Sequence, residues 1–200
     1  MLKKIPSLDR LIETLRSVPY LASKNVYRVA THFLNMDQHQ IEQVCVALQE
    51  AQKKVVRCPI CCVWCEQGSD CMFCADTTRN QSMICVVESW QDLMVIEKTE
   101  SYNGVFHVLG GAICPLEGVG PQDLSIDVLI QRVVAQQVTE IILATNQTPE
   151  GEATAAFIAR KLKATGVAVS CLARGMPVGA SLETMDRVTI YKALSDRRPF

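Results

Sequence analysis

The chain contains no uninterrupted apolar run near the roughly 20 residues that a membrane-spanning helix needs, so no such span is expected. Its opening, MLKKIPSLDR, lacks the apolar stretch of a secretory signal. Net charge is almost absent, since 20 Lys and Arg against 21 Asp and Glu give −1 at pH 7. That balance excludes a whole-molecule field that draws in a polyanion, and any nucleic-acid contact has to come from a local basic patch. The phosphate-cradling patterns GxGxxG and GxxxxGK[ST] are missing, so Gly110, Gly111, Gly118 and Gly120 read as turns. Internal repeats and low-complexity tracts are missing as well. His32 and His107 have no neighbouring nucleophile, which excludes triad chemistry and leaves them as packing or locally hydrogen-bonded residues.

Cysteine is what the chain has in quantity. Ten cysteines behind a polar start imply a reducing cytoplasm rather than a disulfide framework. Cys58, Cys61, Cys71 and Cys74 form two CxxC pairs separated by nine residues. Each pair puts two thiolates at the tip of one tight turn, and two such turns close a tetrahedron around a structural Zn2+. Cys62 and Cys65 form a second possible first pair, leaving five residues to Cys71, so spacing alone keeps both ligand sets open. Cys45, Cys85, Cys114 and Cys171 lie in apolar patterns and read as small buried hydrophobes.

Hydrophobic periodicity divides the rest, and a 48% hydrophobic composition is enough for a real core. Leu8, Leu11, Ile12 and Leu15 recur at helical spacing after a possible Ser7 cap, with Pro19 as a stop. A second helix starts near Ser23 and turns Val26, Val29, Ala30 and Phe33 inward. A third, capped by Asp37, turns Ile41, Val44, Cys45 and Leu48 inward. From Met83 onward strand-like runs alternate with helical ones: 84–87, 92–98, 105–109, 124–134, 140–144, 152–162 and 167–171. That rhythm predicts a parallel sheet with helical crossovers. The expected fold is mixed α/β: a helical unit over 1–56, a four-cysteine zinc module over 57–82, a parallel-sheet domain over 83–171 and a C-terminal arm over 172–200.

Open parallel sheets gather ligands outside the carboxyl ends of their strands. Glu88 ends the first strand of the sheet, and Asn146, Glu150 and Glu152 follow the third, so these residues are candidates for one shared rim. The plainer alternative is that Glu88 supports the next helix and that Glu150 and Glu152 sit in a first turn favoured by the helix dipole.

The segments MICVVESWQDLMVIEK (83–98) and ILATNQTPEGEATAAFIARKL (142–162) resemble a Toprim domain, the module of topoisomerases, primases and RecR proteins. With FHVLGGAICPLEGVGPQDL (106–124) and LARGMPVGASLETMDRVTI (172–190), the resemblance to the RecR family extends over essentially the whole chain. Catalytic Toprim domains place aspartates in a DxD arrangement where this sequence has Asn146 and Thr148. An amide and a hydroxyl bring no negative charge, so Mg2+-dependent phosphoryl chemistry is poorly supported and no enzymatic activity is expected. The resemblance implies that Glu88, Glu150 and Glu152 dock the partner RecO. It also implies that the helical start is a helix-hairpin-helix in which Lys24 and Arg28 meet DNA. The family's glycine-flanked hairpin is replaced here by Tyr20, Leu21 and Ala22, whereas glycine supplies positive φ and close backbone approach. Lys24 and Arg28 lie four apart on one helix face, which is equally the pattern of a solvated polar surface.

The implied role is a cytoplasmic recombination mediator that helps RecO, and RecF where present, load RecA onto single-stranded gaps, as a homo-tetramer or dimer. Two alternatives come with it: a Mg2+-dependent Toprim enzyme using Glu88 and Glu152, and a protein adaptor that has lost its own DNA grip.

Overall fold

The computed structural model describes residues 5–173, 175–177 and 179–197. Within the expected C-terminal arm, positions 174, 178 and 198–200 lie outside the described residues. The chain separates into two units, Met1–Val55 and Val56–Phe200.

The first unit is helical: α1 (Pro6–Arg16), α2 (Ser23–Leu34) and α3 (Gln38–Lys54). Pro6 supplies a preset φ and no N–H at the helix start, so α1 begins ahead of Ser7; Ile5 holds the cap position without a side-chain bond. The helix has already ended at Arg16, before Pro19 is reached. Asp37 caps α3 as the sequence indicates: Gln40 N donates to Asp37 Oδ1 at 2.8 Å and Asp37 N to Gln40 Oε1 at 3.0 Å. Ile12, Val26 and Ala30 form the buried cluster, flanked by Leu8, Leu11, Leu15 and Leu21. The expected inward face of α3 is corrected. None of its residues is buried, and Cys45 and Leu48 are exposed, because α1 and α2 close the cluster by themselves.

The second unit opens with a two-stranded ribbon, β1 (Val55–Arg57) and β2 (Trp64–Glu66). A four-stranded parallel sheet follows, built of β3 (Asn80–Val87), β4 (Gly104–Val108), β5 (Glu140–Leu143) and β6 (Ala168–Cys171) in the order β4-β3-β5-β6. Its crossovers carry α4 (Trp90–Glu97), α5 (Ile126–Ala135) and α6 (Pro149–Leu162), and α7 (Arg187–Ser195) comes last. Alternation along each strand sorts the core into two layers. Ile84, Val86, Val105, Leu109, Ile141 and Leu143 face one way, where Ile126, Leu129 and Val133 of α5 and Ile158 and Leu162 of α6 cover them. Cys85, Val87, Phe106, Val108 and Ala144 face the other way, covered by Leu93 of α4 and by Cys58, Cys61, Val63, Cys71 and Phe73. The cysteine module is therefore part of the core. Phe73 meets Phe106 edge to face at 5.3 Å, and the Arg79 guanidinium lies 4.9 Å over Phe73 while bonding Glu97 and the Gly104 carbonyl.

Among the four cysteines assigned to apolar packing only Cys85 is buried; Cys114 is half-buried, and Cys45 and Cys171 are exposed. Cys171 ends β6, an edge strand whose four residues are all exposed. His107 is fully buried. The Ser125 hydroxyl donates to the Val108 carbonyl at 2.7 Å, so it has no proton left for the ring. His107 Nε2 therefore donates to the Ser125 carbonyl at 3.0 Å, and burial pushes this imidazole down to about 4. Among the described residues no helix is long and apolar enough to cross a membrane.

Candidate functional site

The chain leaves β3 toward β4 on one side, while β5 adds on the other, so the order reverses between β3 and β5. Such a switch point opens a crevice at the carboxyl ends of the strands. Glu88 follows β3 and Asn146 follows β5, and the two are clasped together. The Asn146 backbone N–H donates to Glu88 Oε1 at 2.7 Å, and its side-chain amide Nδ2 donates to Oε2 at 2.7 Å. A carboxylate only accepts, so it selects the amide's NH2 end. The adjoining cleft of about 290 Å³ is lined by Asp92, Asn146, Glu152 and Cys171 among others.

Helix α6 starts hard against this clasp. Thr148 caps it, accepting from Gly151 N at 3.1 Å, with Pro149 as the next residue. A Cβ on Gly151 would lie 2.1 Å from the Asn146 carbonyl oxygen and 2.7 Å from Glu88 Oε1. The central glycine of the EGE segment is thus a packing requirement, because only a hydrogen fits between the helix start and the carboxylate. Glu150 and Glu152 both belong to the first turn. Glu152 is paired with Lys192 of α7 at 2.7 Å. Across all described residues, only the four cysteines bring three or more His, Cys, Asp or Glu ligand atoms to one point. The three glutamates share a rim but do not converge.

Cys58, Cys61, Cys71 and Cys74 place their sulfurs within 4.8 Å of one another, and the cluster could hold a metal ion. Tight turns achieve this: Cys62 N bonds the Cys58 carbonyl at 2.9 Å and Ala75 N the Cys71 carbonyl at 3.0 Å. Cys62 takes a left-handed φ of 59° as the chain leaves the first turn, and neither Cys62 nor Cys65 joins the converging set. As free thiols, Cys61 and Cys74 are shifted in opposite directions. Cys61 is pushed up, first by donating to Cys74 and then by burial. Cys74 is drawn down to about 6, first by that hydrogen bond, with the Arg132 charge also favouring its thiolate. Val108 N donates to the Cys61 carbonyl at 2.9 Å, and Trp64 of β2 stacks on Trp90 of α4 at 6.1 Å. The cysteine module is thereby fixed to both the sheet and the segment after Glu88.

In the helical unit, Lys24 and Arg28 are exposed on the first two turns of α2. Tyr20 is fully exposed with φ 65°, the conformation that glycine would favour in a hairpin.

The Toprim domain family matches residues 82–173, and the RecR C-terminal family matches residues 175–198. The chain is 44% identical over 192 residues to the recombination protein RecR of Cutibacterium acnes, covering 95% of this chain and 94% of that one. The chain belongs to the RecR family. Other RecR proteins agree: that of Koribacter versatilis is 43% identical with 99% of each chain covered. That of Porphyromonas gingivalis is 40% identical, covering 100% of this chain and 97% of the relative. Within this RecR-family chain, three site features escape sequence reasoning: the Asn146 clasp, the Lys192 pairing and the buried Arg132. The first had a signal, an amide where catalytic Toprim domains carry an acid. The other two join residues tens of positions apart with no pattern to connect them.

Proposed function

We propose that this RecR-family chain is a non-catalytic, DNA-binding mediator of recombinational repair. In this reading it works beside the chromosome in the cytoplasm, with RecO and, where present, RecF, to promote RecA loading on single-stranded gaps. The observation that carries the reading is the Asn146 clasp: both oxygens of Glu88 are engaged by N–H donors at 2.7 Å. A catalytic Toprim rim gives Mg2+ carboxylates and water, whereas N–H groups aimed into the site repel a cation.

Four thiolates suit one Zn2+ held by Cys58, Cys61, Cys71 and Cys74. Bound there, Zn2+ has no open coordination position and supplies folding energy to the layer beneath the sheet. Glu150, Glu152 and Glu88 form the docking rim for RecO. Carboxylates steer a basic partner and weaken with salt, and such a partner exchanges for Lys192 on Glu152. Lys24 and Arg28 contact DNA phosphates, and a homo-tetramer or dimer lets several weak contacts act together.

Fluorescence anisotropy on a labelled gapped duplex tests the DNA part. Binding that falls with salt and drops in Lys24→Ala/Arg28→Ala supports a clamp; absence of wild-type binding refutes it. The exposed, left-handed Tyr20 in the hairpin favours a second reading, an adaptor that reaches DNA only through its partner, and that same null result would select it. Mg2+-dependent DNA cleavage or relaxation, lost in Glu88→Ala, would overturn the non-catalytic assignment.

A further inference from the structure

Arg132 on α5 is the one buried Arg or Lys among the described residues, with 5% of its surface exposed. Its Nη1 donates to the Phe106 carbonyl at 2.9 Å and its Nε to Gln136 Oε1 at 3.1 Å. Its Nη2 is buried without a partner, and no carboxylate among the described residues forms an ion pair with it. A guanidinium cannot shed its proton, and a buried charge without a compensating one is strongly disfavoured. Something negative has to lie near it.

The candidate sits on the same strand edge. β4 is an outermost strand, and alternate residues turn their main-chain groups to the same side. The Phe106 carbonyl and the Val108 N–H both face away from β3; the first receives Arg132, and the second donates to the Cys61 carbonyl at 2.9 Å. Two strand residues span roughly 6.6 Å, so the guanidinium fork and the first cysteine turn are neighbours along that edge. Four thiolates around a divalent cation would carry a net charge of about −2, and they lie in the layer on the other face of the sheet, bounded by this same β4 edge.

We propose that Arg132 is the outer-sphere counter-ion of the metal-bound four-cysteine cluster, its guanidinium charge offsetting that of the thiolates from the shared β4 edge. The proposal rests on reading the four cysteines as a Zn2+ site. Donors and charges around a metal site tune both its affinity and the electron density on its ligands. Arg132 acts through the thiolates and is a positioning residue.

The test uses the full chain stripped of metal, refilled with Co2+ and then competed with Zn2+. Wild-type, Arg132→Gln and Arg132→Lys proteins are compared by the thiolate-to-cobalt charge-transfer band and by zinc affinity. Arg132→Gln is expected to weaken Zn2+ binding by about tenfold to a hundredfold. It should also move the band to lower energy, because thiolates without a nearby cation hold their electrons less tightly. Arg132→Lys keeps the charge and should stay within about threefold of wild type. A role confined to capping the Phe106 carbonyl would destabilise metal-free and metal-bound protein alike and leave the band in place. Zinc affinity and band unchanged in Arg132→Gln would overturn the proposal. Should that variant not fold, Arg132→Lys decides, since a loss there beyond about tenfold means that charge is not what matters. A wild-type chain showing no charge-transfer band refutes the metal reading itself, and the counter-ion falls with it.

Discussion

Replacing Asn146 by aspartate turns the clasp on Glu88 into a repulsion. Asn146 Nδ2 lies 2.7 Å from Glu88 Oε2, so Asn146→Asp sets two anionic oxygens about as close as two atoms can be without a shared proton. At roughly 3 Å that repulsion is about 1.4 kcal/mol in water and about 5.5 kcal/mol at an effective dielectric of about 20. The clasp is solvent-exposed, so the lower end applies. Loss of the charged hydrogen bond adds about 1.5 kcal/mol, for a total near 3 kcal/mol. The backbone N–H contact survives the substitution, and rotation of the new side chain limits the loss. Urea unfolding at pH 7 in low salt reads this directly. Asn146→Asp is expected to lose about 2 to 3 kcal/mol, and Glu88→Gln added to it should restore most of that. Millimolar Mg2+ should stabilise Asn146→Asp more than NaCl of equal ionic strength and leave the wild type unmoved, since two adjacent carboxylates make the beginnings of a cation site. An Asn146→Asp protein as stable as wild type in chelator would show that the clasp does not hold Glu88, and the argument from it would fail.

Three further outcomes follow from particular residues. Gly151→Ala forces a methyl group against the Asn146 carbonyl and Glu88, and should cost about 2 kcal/mol and shift α6; an unchanged melting temperature would mean that the helix start is not as tightly seated as described. Tyr20→Gly relieves a left-handed backbone worth about 1 to 2 kcal/mol while freeing the unfolded chain by up to about 1, so a net gain of about 0.5 kcal/mol is expected in urea unfolding. A loss would show that the exposed ring makes a contact worth more than the strain. Buried neutral His107 sets a pH slope: between its ordinary 6.5 and its folded value of about 4, the unfolded chain binds a proton that the folded chain refuses. Stability therefore falls as pH drops from 6.5 toward 4 and is flat in this respect outside that window, by roughly 3 kcal/mol in all. The cysteines titrate as well, so the test is the difference between wild type and His107→Gln across pH 4.5 to 7; parallel curves would refute it.

The strand and helix rhythm of the second unit was legible because β4 and the second half of β3 are buried on both faces and read as short apolar runs between helical patterns. The rim was legible in part. Glu88, Glu150 and Glu152 could be placed at strand ends from sequence order, but the reach of Asn146 back to Glu88 depends on β3 and β5 being neighbours, which no local pattern encodes. The helical unit misled where periodicity was taken for burial. Ile41, Val44, Cys45 and Leu48 keep helical spacing along α3, yet spacing names a face and not its covering layer. Cys171 was misjudged for the same reason, as an apolar strand pattern does not reveal that the strand is outermost. Spacing also could not choose among six clustered cysteines. The left-handed turn at Cys62 accompanies the choice, and a cysteine there carries no sequence mark of that conformation.

The central claim is that this Toprim rim serves docking instead of phosphoryl chemistry, and RecA assembly on gapped DNA coated with single-strand-binding protein tests it most directly. With RecO present, the wild-type chain is expected to speed RecA loading. Glu150→Lys, which reverses charge in the first turn of α6, should abolish that effect while costing no more than about 1 to 2 kcal/mol of stability from the helix dipole and leaving DNA binding as it was. A wild-type chain that does not stimulate loading, or a Glu150→Lys chain that stimulates equally, would contradict the account.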